Sequence, residues 1–318
     1  AEMAAEAVRK LQPHVDFSLD EIQCLCCGTS APDLLMPGHA SMVHAALGNR
    51  PCEIVSTAGI CVSGVTALKY GFMNVAAGLV NNAVASGSEQ ASSFMRSSFC
   101  GGIAPGRAEA LDNNPSLTFE ADFLRWMLSD GAGAVFMADR PNPSGLSLKL
   151  DWIEIVSHAN SMETCMYAGG VKNEHGSIQG WRQFETLEES VRQGSLLVKQ
   201  DAKLLNKEVV PTVVDRSLPQ IIAKHNLKPG EIDWYLPHYS SDYFRLEIFE
   251  HMKNIGFEIP LEKWYSNLSH KGNTGSAAIY IILEELFKSG KLKKGDKLLC
   301  FIPESGRFSI GYIHLTVV

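Results

Sequence analysis

The sequence repeats its landmarks at a nearly constant interval, and this repeat restricts the possible folds more than any other feature. Glu21-Ile22 and Glu231-Ile232 introduce apolar strand segments 210 residues apart, and Cys61 and Asn273 stand in glycine-rich corners 212 residues apart. In each half the corner follows a predicted strand and opens a predicted helix. Any α/β chain gives some matches of this kind, but here several landmarks share almost one interval. The sequence therefore predicts a duplicated α/β fold.

The length leaves room for either two domains or one duplicated fold, because 318 residues correspond to about two domains of ~150 residues. The repeat favours the duplicated fold, with residues 1–145 as the first half and residues 146–318 as the second. The boundary falls at residues 141–145, the turn-forming run Pro-Asn-Pro-Ser-Gly. Strands are predicted at residues 22–27, 53–58, 83–87, 131–138, 233–236, 264–268 and 297–301, and helices at residues 1–11, 39–47, 62–80, 217–225 and from 272–277 to about 288.

Composition excludes several functional classes. The 28 basic and 35 acidic side chains give a net charge of −7, which argues against a general nucleic-acid binder. No apolar run of ~18 residues predicts a membrane-spanning helix, and the first residues, AEMAAEAVRK, lack the pattern of a signal peptide. Eight cysteines are too few for a disulfide scaffold, so we expect reduced thiols and a cytoplasmic protein.

The duplication predicts a reactive centre. If a pseudo-twofold axis relates the halves, the corners at Cys61 and Asn273 face the same point, and His238, at the end of another strand, can approach it. Cys61 would begin a helix, where backbone N–H groups and the helix dipole stabilise a thiolate. With a histidine nearby, such a thiolate is an activated nucleophile. The N–H of Cys61, with the loop at Gly306, could bind an oxyanion.

Other readings of these residues remain open. Most cysteines lie in apolar strands and are expected to be core residues, and the run from Cys24 to Cys27 lacks the spacing of a zinc site. No metal site is predicted. His270 competes with His238 for the role in the centre, although we expect His270 to be structural. The corner around Asn273 could be read as a phosphate loop, but it lacks the lysine and the spacing of a P-loop.

These segments together resemble the β-ketoacyl-acyl-carrier-protein synthase III family of the thiolase superfamily, over nearly the whole chain. The resemblance rests on residues 58–64 (Ala-Gly-Ile-Cys-Val-Ser-Gly), 130–135 (Asp-Gly-Ala-Gly-Ala-Val), 237–238 (Pro-His), 272–277 (Gly-Asn-Thr-Gly-Ser-Ala) and 305–311 (Ser-Gly-Arg-Phe-Ser-Ile-Gly). It implies a thiolase-like fold of two pseudo-equivalent halves, with mixed sheets and helices layered as α-β-α-β-α. It also implies a catalytic triad made of Cys61, His238 and Asn273.

The resemblance implies an acyltransferase in which Cys61 takes an acyl group from acyl-CoA or another acyl thioester. His238 and Asn273 then stabilise the enolate formed as malonyl-acyl-carrier protein loses carbon dioxide, and the enolate attacks the acyl-cysteine to give a β-ketoacyl thioester. The implied partners are acyl-CoA, an acyl carrier protein and a second copy of the chain in a homodimer, with no cofactor required. An alternative is an enzyme of specialised metabolism that transfers acyl groups, or joins longer acyl or β-ketoacyl thioesters, without initiating fatty-acid synthesis.

The chain departs from the family pattern in its expected acyl pocket. The family often has Phe before Pro in a segment that reaches into the partner's pocket, whereas here Met36 precedes the proline. Met36 and Phe308, in the C-terminal glycine-rich loop, are therefore expected to shape the pocket. Methionine adapts to varied acyl chains, which favours a specialised pathway. Residues 94–126 are expected to line an acyl tunnel.

Two further departures concern the surroundings of the triad and the start of the chain. The family histidine is usually followed by Gln-Ala-Asn, whereas His238 is followed by Tyr-Ser-Ser. We expect Ser241 and His270 to contact the triad residues and hold them in position. The family usually begins with a strand before the helix that opens this chain, so we expect the first half to lack its first strand.

Two hypotheses from other classes also remain. The first is a non-catalytic scaffold that kept the fold, which the presence of Cys61, His238 and Asn273 disfavours. The second is a cysteine protease, because Cys, His and Asn also occur together in that class. The glycine-rich corner at residues 272–277 and the duplication disfavour a protease.

Overall fold

The computed structural model describes residues 1–96, 124, 126–173 and 175–318. Numbered over this part of the chain, the helices are α1 (Glu2–Arg9), α2 (His39–Leu47), α3 (Val62–Ala76), α4 (Ala91–Phe94), α5 (Leu187–Arg192), α6 (Ala202–Val210), α7 (Leu218–His225), α8 (Tyr243–Asn254), α9 (Leu268–Lys271) and α10 (Ala278–Lys288). The strands are β1 (Cys24–Thr29), β2 (Glu53–Ala58), β3 (Asn82–Glu89), β4 (Gly131–Ala138), β5 (Leu148–Ser157), β6 (Met166–Tyr167), β7 (Gly170–Lys172), β8 (Ile178–Gly180), β9 (Lys199–Gln200), β10 (Trp234–Pro237), β11 (Lys297–Pro303) and β12 (Ser309–Val317). Over these ranges, no helix has the length and apolar character needed to cross a membrane.

Two four-stranded mixed sheets form the framework. The first has the order β2-β1-β3-β4, with β1 parallel to β2 and β3, and β4 antiparallel to β3. The second has the order β10-β11-β12-β5, with β10 parallel to β11 and the other two pairs antiparallel. The strands β1, β3 and β4 therefore correspond to β10, β11 and β12, as the repeat predicts.

The two sheets and the helices form five alternating layers. Each sheet packs against helices on both faces, because alternate residues of a strand face opposite sides of the sheet. In β1, Cys24 and Cys26 face a central core that also contains the apolar faces of α3 and α10 and the inner face of the second sheet. Leu25 and Cys27 face an outer core with α1 and α2. A third core lies between the other face of the second sheet and α6, α7 and α8. The predicted α-β-α-β-α layering of a thiolase-like fold is confirmed.

Two predicted elements differ from the structure. The helix predicted over residues 62–80 ends at Ala76, because Gly78 adopts a positive φ of 69° and Leu79 N–H bonds back to the carbonyl of Asn74. The strand predicted over residues 264–268 is wrong. Trp264 makes only an isolated bridge to Tyr235, and the chain then turns into α9.

The two halves meet where the turn at Ser276 packs against backbone of the first half. The Ser276 hydroxyl donates to the carbonyls of Gly28, at 3.3 Å, and Ser88, at 3.0 Å. A Cβ on Gly64 or Gly87 would lie 2.1 or 2.2 Å from the Ser276 carbonyl oxygen, well inside van der Waals contact. Glycine at these two positions is therefore what lets α3 and β3 approach the second half so closely.

We expect Gly87→Ala to lower the free energy of unfolding by about 2–3 kcal/mol, because the new methyl group meets rigid backbone and forces the halves apart. Urea unfolding followed by tryptophan fluorescence measures the change. Gly230→Ala is the matched control, because no atom lies within 4 Å of its added Cβ, and we expect a change within about 0.5 kcal/mol. If the two variants had equal free energies of unfolding, the proposed close packing of the two halves at Ser276 would be contradicted.

Candidate active site

A cavity of about 660 Å³ lies where the halves meet, and it contains the three residues predicted to carry the chemistry. Cys61 stands at the corner between β2 and α3, His238 directly follows β10, and Asn273 lies in the corner between α9 and the turn at residues 275–277. All three are at least nine-tenths buried. The structure thus brings residues from two halves of the chain to one cavity, as the duplication predicts.

Cys61 is the N-cap residue of α3 and its side chain is 7% exposed. We expected the helix terminus to stabilise a thiolate. Instead, burial of the thiol raises its pKa, and the carboxylates of Glu89 and Glu304 raise it further. The sulfur is therefore held as a thiol, contrary to the thiolate that we expected. A reaction at Cys61 requires the proton to leave as the sulfur attacks.

The ring of His238 is 4% exposed, and burial lowers its pKa to about 4. Its backbone N–H donates to the carbonyl of Phe301 at 2.8 Å, which extends the pairing of β10 and β11 by one residue. The imidazole is therefore neutral at pH 7 and has one N–H to donate and one nitrogen to accept a proton.

Two hydrogen bonds fix the position of Asn273. Its side-chain oxygen accepts the N–H of Gly275 at 3.1 Å, and its carbonyl accepts the N–H of Ser129 at 2.8 Å. Gly272 precedes it with a φ of 72°, and a Cβ there would lie 2.1 Å from the Ser129 hydroxyl. With the amide oxygen engaged by its own turn, the NH₂ group is the part of Asn273 left to serve a ligand.

Two buried carboxylates share the cavity, and we did not predict either of them. Glu89 ends β3 and Glu304 directly follows β11, which is the corresponding strand of the second half. One oxygen of Glu89 accepts the N–H and hydroxyl of Ser30, at 2.9 and 2.6 Å, and the N–H of Ser276, at 3.1 Å. Burial nonetheless raises its pKa. The duplication that pointed to Cys61 and Asn273 could have revealed this pair, because both carboxylates end equivalent buried strands.

Gly306 lines the cavity, but its N–H is not free to bind an oxyanion. It donates to a Glu304 side-chain oxygen at 2.7 Å, while the other oxygen of Glu304 accepts the N–H of Ser309 at 2.7 Å. The expected pairing of Gly306 with the N–H of Cys61 as oxyanion donors therefore requires Glu304 to move or to give up this bond. Through these two hydrogen bonds, the carboxylate of Glu304 holds together the loop that follows β11.

Other predicted pocket residues lie elsewhere. Phe308 is fully buried in the third core rather than in the cavity, because its φ of 59° turns the side chain away between two cavity-lining neighbours. This prediction is corrected. Met36 is 76% exposed and outside the cavity of its own chain, so a role in a partner's pocket stays a prediction. Most of the predicted tunnel segment 94–126 lies outside the described residues, although Phe94 and Met95 line the cavity.

Ser241 and His270 lie outside the cavity. The Ser241 hydroxyl accepts the N–H of Tyr243 at the start of α8. His270 donates to Glu285 at 2.7 Å, and Glu285 also accepts the side-chain amide of Asn267 at 2.9 Å. The expected support of the triad by Ser241 and His270 stays a prediction.

The rest of the cavity is lined largely by apolar side chains, which come from two parts of the structure. One set of lining side chains comes from the first half, beside Cys61: Ile60, Val62, Phe94, Met95, Met127 and Leu128. A second set, which we call the second arm of the cavity, belongs to the third core and comes largely from α6 and α8: Leu205, Val209, Val210, Val213, Phe244 and Ile248. Over the part of the chain that the structure describes, no cluster of three or more His, Cys, Asp or Glu could hold a metal ion.

Comparison with known proteins gives matches that agree with one another. Residues 222–306 match the family described as 3-oxoacyl-[acyl-carrier-protein] synthase III, C terminal. The chain is 25% identical over 303 residues to a β-ketoacyl-[acyl-carrier-protein] synthase III of Clostridium perfringens, covering 94% of this chain and 79% of that protein. It is 27% identical over 297 residues to β-ketoacyl-[acyl-carrier-protein] synthase III 2 of Deinococcus radiodurans, covering 93% and 74%.

Solved structures agree on the fold. A synthase III of Thermus thermophilus superposes with a TM-score of 0.71 at 20% identity, covering 99% of this chain and 83% of that one. The OleA protein of Xanthomonas campestris superposes with a TM-score of 0.75 at 18% identity, covering 99% and 80%.

The neutral state of His238 makes stability depend on pH. Its pKa is about 4 in the folded protein against an ordinary 6.5, so the unfolded chain takes up the proton first as the pH falls. We expect this residue to remove about 2 kcal/mol of stability between pH 7 and pH 4.5. Urea unfolding at both pH values should show that His238→Gln loses less stability on acidification than wild type. The exposed control His175→Gln should keep the wild-type pH dependence, and the same dependence in all three proteins would contradict the assignment.

The carboxylate of Glu304 should slow modification of Cys61. In Glu304→Gln the nearby charge is gone, so the pKa of Cys61 falls, and a fall of about one unit raises its rate of alkylation by iodoacetamide at pH 8 about tenfold. Peptide mass mapping measures the rate at Cys61 separately from the other cysteines. Glu258→Gln, at an exposed position, should react within about twofold of wild type. An unchanged rate in Glu304→Gln would contradict the electrostatic coupling.

Proposed function

We propose that the chain is a member of the β-ketoacyl-[acyl-carrier-protein] synthase III family, to which it is similar over most of its length, and that Cys61, His238 and Asn273 are its catalytic residues. It is an acyltransferase of the condensing type. The observation that supports the assignment is that these three side chains, drawn from two halves of the chain, line one buried cavity with apolar walls.

In the proposed first step, Cys61 attacks the carbonyl of an acyl thioester such as acyl-CoA, and the thiol of the donor leaves. Because the resting sulfur holds its proton, a base must accept it during the attack, and the neutral ring of His238 has a free nitrogen that can do so. The N–H of Cys61, at the start of α3, is a donor for the oxyanion that develops. The apolar wall beside Cys61 then accommodates the acyl chain.

In the second step, a malonyl thioester binds and loses carbon dioxide, which leaves an enolate. His238 and the NH₂ group of Asn273 donate hydrogen bonds to the enolate oxygen. Such donors act strongly here because burial excludes water. The enolate carbon attacks the acyl-cysteine, the carbon–sulfur bond to Cys61 breaks, and a β-ketoacyl thioester leaves. In this proposal an acyl carrier protein delivers the malonyl group, and the working unit is a homodimer.

The second arm of the cavity supports a second candidate, a condensing enzyme that joins two longer acyl chains. Six aliphatic or aromatic side chains of the third core line this arm. A malonyl group offers no hydrocarbon chain for such a surface, whereas a fatty acyl chain does.

We expect wild-type protein to gain the mass of one acyl group when incubated with an acyl-CoA panel of increasing chain length, with the label on Cys61. Cys61→Ser should lose at least 99% of this labelling, because a hydroxyl is a far weaker nucleophile than a thiol at such a site. Intact-mass and peptide mass spectrometry measure both results. Cys52→Ser, at a half-buried cysteine outside the cavity, is the matched control and should label like wild type. Labelling that persists in Cys61→Ser would overturn the assignment.

A further inference from the structure

A polar patch interrupts the apolar lining of the cavity, and the steps proposed above do not use it. The patch consists of Gln200, which ends β9, and of Glu304 and Ser305, which directly follow β11, and all three residues line the cavity. Gln200 is 4% exposed and Glu304 is 9% exposed. Polar groups buried to this degree need hydrogen-bond partners, so the positions that stay open in the patch indicate the chemistry of a ligand.

The three residues of the patch lie together. The side-chain amide of Gln200 donates to the Ser305 hydroxyl at 2.8 Å. Gln200 and Glu304 are also close to the same sulfur, that of Cys165. Burial raises the pKa of this thiol, a hydrogen bond from Gln200 lowers it, and the charge of Glu304 raises it. Residues from two separate strands thus form one hydrogen-bonding surface.

The patch is next to the corner that carries the reactive sulfur. A Cβ on Gly306 would lie 2.7 Å from a Glu304 side-chain oxygen and 3.0 Å from the side chain of Ile60, the residue before Cys61. The loop that contains Glu304 is therefore packed against this corner. An acyl group attached to Cys61 begins beside the patch, which faces the first few carbons of the chain rather than its far end.

The carboxylate of Glu304 has open acceptor positions. Its two oxygens accept one backbone N–H each, from Gly306 and Ser309, both at 2.7 Å. A carboxylate has about four acceptor positions, so about two stay open. No ion pair of Glu304 is found over the described residues, and the guanidinium of Arg307 donates instead to the carbonyl of Met162, at 2.9 and 2.7 Å.

Ser305 adds a donor to these acceptors. Its hydroxyl accepts the amide of Gln200, and over the described residues the hydroxyl proton has only the sulfur of Met166 as a partner, at 3.8 Å. A thioether is a weak acceptor, so this proton is available to a ligand. The hydrogen bond from Gln200 fixes the orientation of the hydroxyl. The patch therefore offers acceptors on Glu304 and one donor on Ser305.

These open positions match a hydroxyl group. A hydroxyl donates to a carboxylate and accepts from a second hydroxyl. A methylene group leaves both positions unpaired, and a keto oxygen has no proton for the carboxylate, which repels it. The patch therefore distinguishes a hydroxylated acyl chain both from a saturated hydrocarbon chain and from a keto chain.

We propose that the patch is a subsite for a hydroxyl group near the thioester end of the acyl chain, so that the site selects hydroxyacyl thioesters as acyl donors. The hydroxyl donates to Glu304 and accepts from Ser305, whose orientation Gln200 fixes. The inference rests on the proposed function, because the acyl group reaches the patch by transfer to Cys61. A hydrogen bond to a charged acceptor in a buried site favours the hydroxylated chain at least tenfold.

Competition between acyl donors tests the subsite. Wild-type protein is mixed with octanoyl-CoA and an equal concentration of 2-hydroxyoctanoyl-CoA or 3-hydroxyoctanoyl-CoA, each as separate epimers. The two acyl-enzymes differ in mass by one oxygen atom, so early time points of intact-mass spectrometry give the ratio of the two loading rates, and peptide mapping places the label on Cys61. We expect at least one hydroxylated donor to load at least tenfold faster than octanoyl-CoA, and 3-oxooctanoyl-CoA to lack this preference.

Variants of the patch should lower this ratio. Glu304→Gln removes the charged acceptor and should reduce the preference at least fivefold, and Ser305→Ala removes a neutral donor and should reduce it about threefold. A change in the reactivity of Cys61 affects both donors alike and cancels in the ratio. Thr66→Val is the matched control, because its hydroxyl also belongs to a cavity residue but donates to the carbonyl of Val62 in its own helix. This variant should keep the ratio within about twofold of wild type.

The outcomes separate the subsite from the proposed function. If octanoyl-CoA loads onto Cys61 as fast as every hydroxylated donor in wild type, the hydroxyl subsite is overturned and the proposed function stands. If no donor acylates Cys61, the proposed function itself is overturned. A preference that stays unchanged in Glu304→Gln and Ser305→Ala, or that 3-oxooctanoyl-CoA shares, would show that the patch does not bind the hydroxyl group.

Discussion

The close backbone contact between the turn at Ser276 and the first half is the constraint on which the site depends. The Ser276 hydroxyl donates hydrogen bonds to two carbonyls of the first half. The backbone carbonyl of Ser276 occupies the space that a side chain on Gly64 or Gly87 would need. Asn273 stands three residues before this turn, and Cys61 three residues before Gly64. The same contact that joins the two sheets therefore sets the distance between the residues that face the cavity, and it leaves no space in which the halves could slide.

The cavity formed by this joint is electrostatically unusual for a thiol enzyme. It holds two carboxylates at the ends of equivalent strands, a neutral histidine and a thiol whose pKa is raised. In such a site, the negative charge that develops during the reaction is repelled by the carboxylates of Glu89 and Glu304. The oxyanion and the enolate of the reaction must therefore be stabilised by hydrogen-bond donors whose interaction strengthens as the charge forms. These donors are the N–H of Cys61, the ring of His238 and the amide of Asn273.

Much of this arrangement could be predicted from local patterns, and the failures have physical causes. The interval of about 210 residues predicted that the corners at Cys61 and Asn273 face a common point, because symmetric corners face a common axis. The position of His238 at the end of another buried strand predicted that it approaches the same point. Two failures arose from backbone geometry that periodicity does not report, since Gly78 ended α3 early and a positive φ turned Phe308 into the third core. The thiolate expectation failed because the sequence shows that Cys61 begins a helix but not how deeply it is buried.

By itself, the sequence determined the duplication, six of the eight strands of the two sheets and the identity of the three residues that meet, because apolar periodicity and glycine-rich corners are properties of short segments. Only the tertiary structure determined the surroundings of those three residues. The pairing of Gly306 with Glu304, the suppressed ionisation of Cys61 and His238, and the apolar arm beneath α6 and α8 all depend on burial among segments far apart in the chain. Desolvation and the distances between charges arise only when those segments pack, and they determine the chemistry of the site.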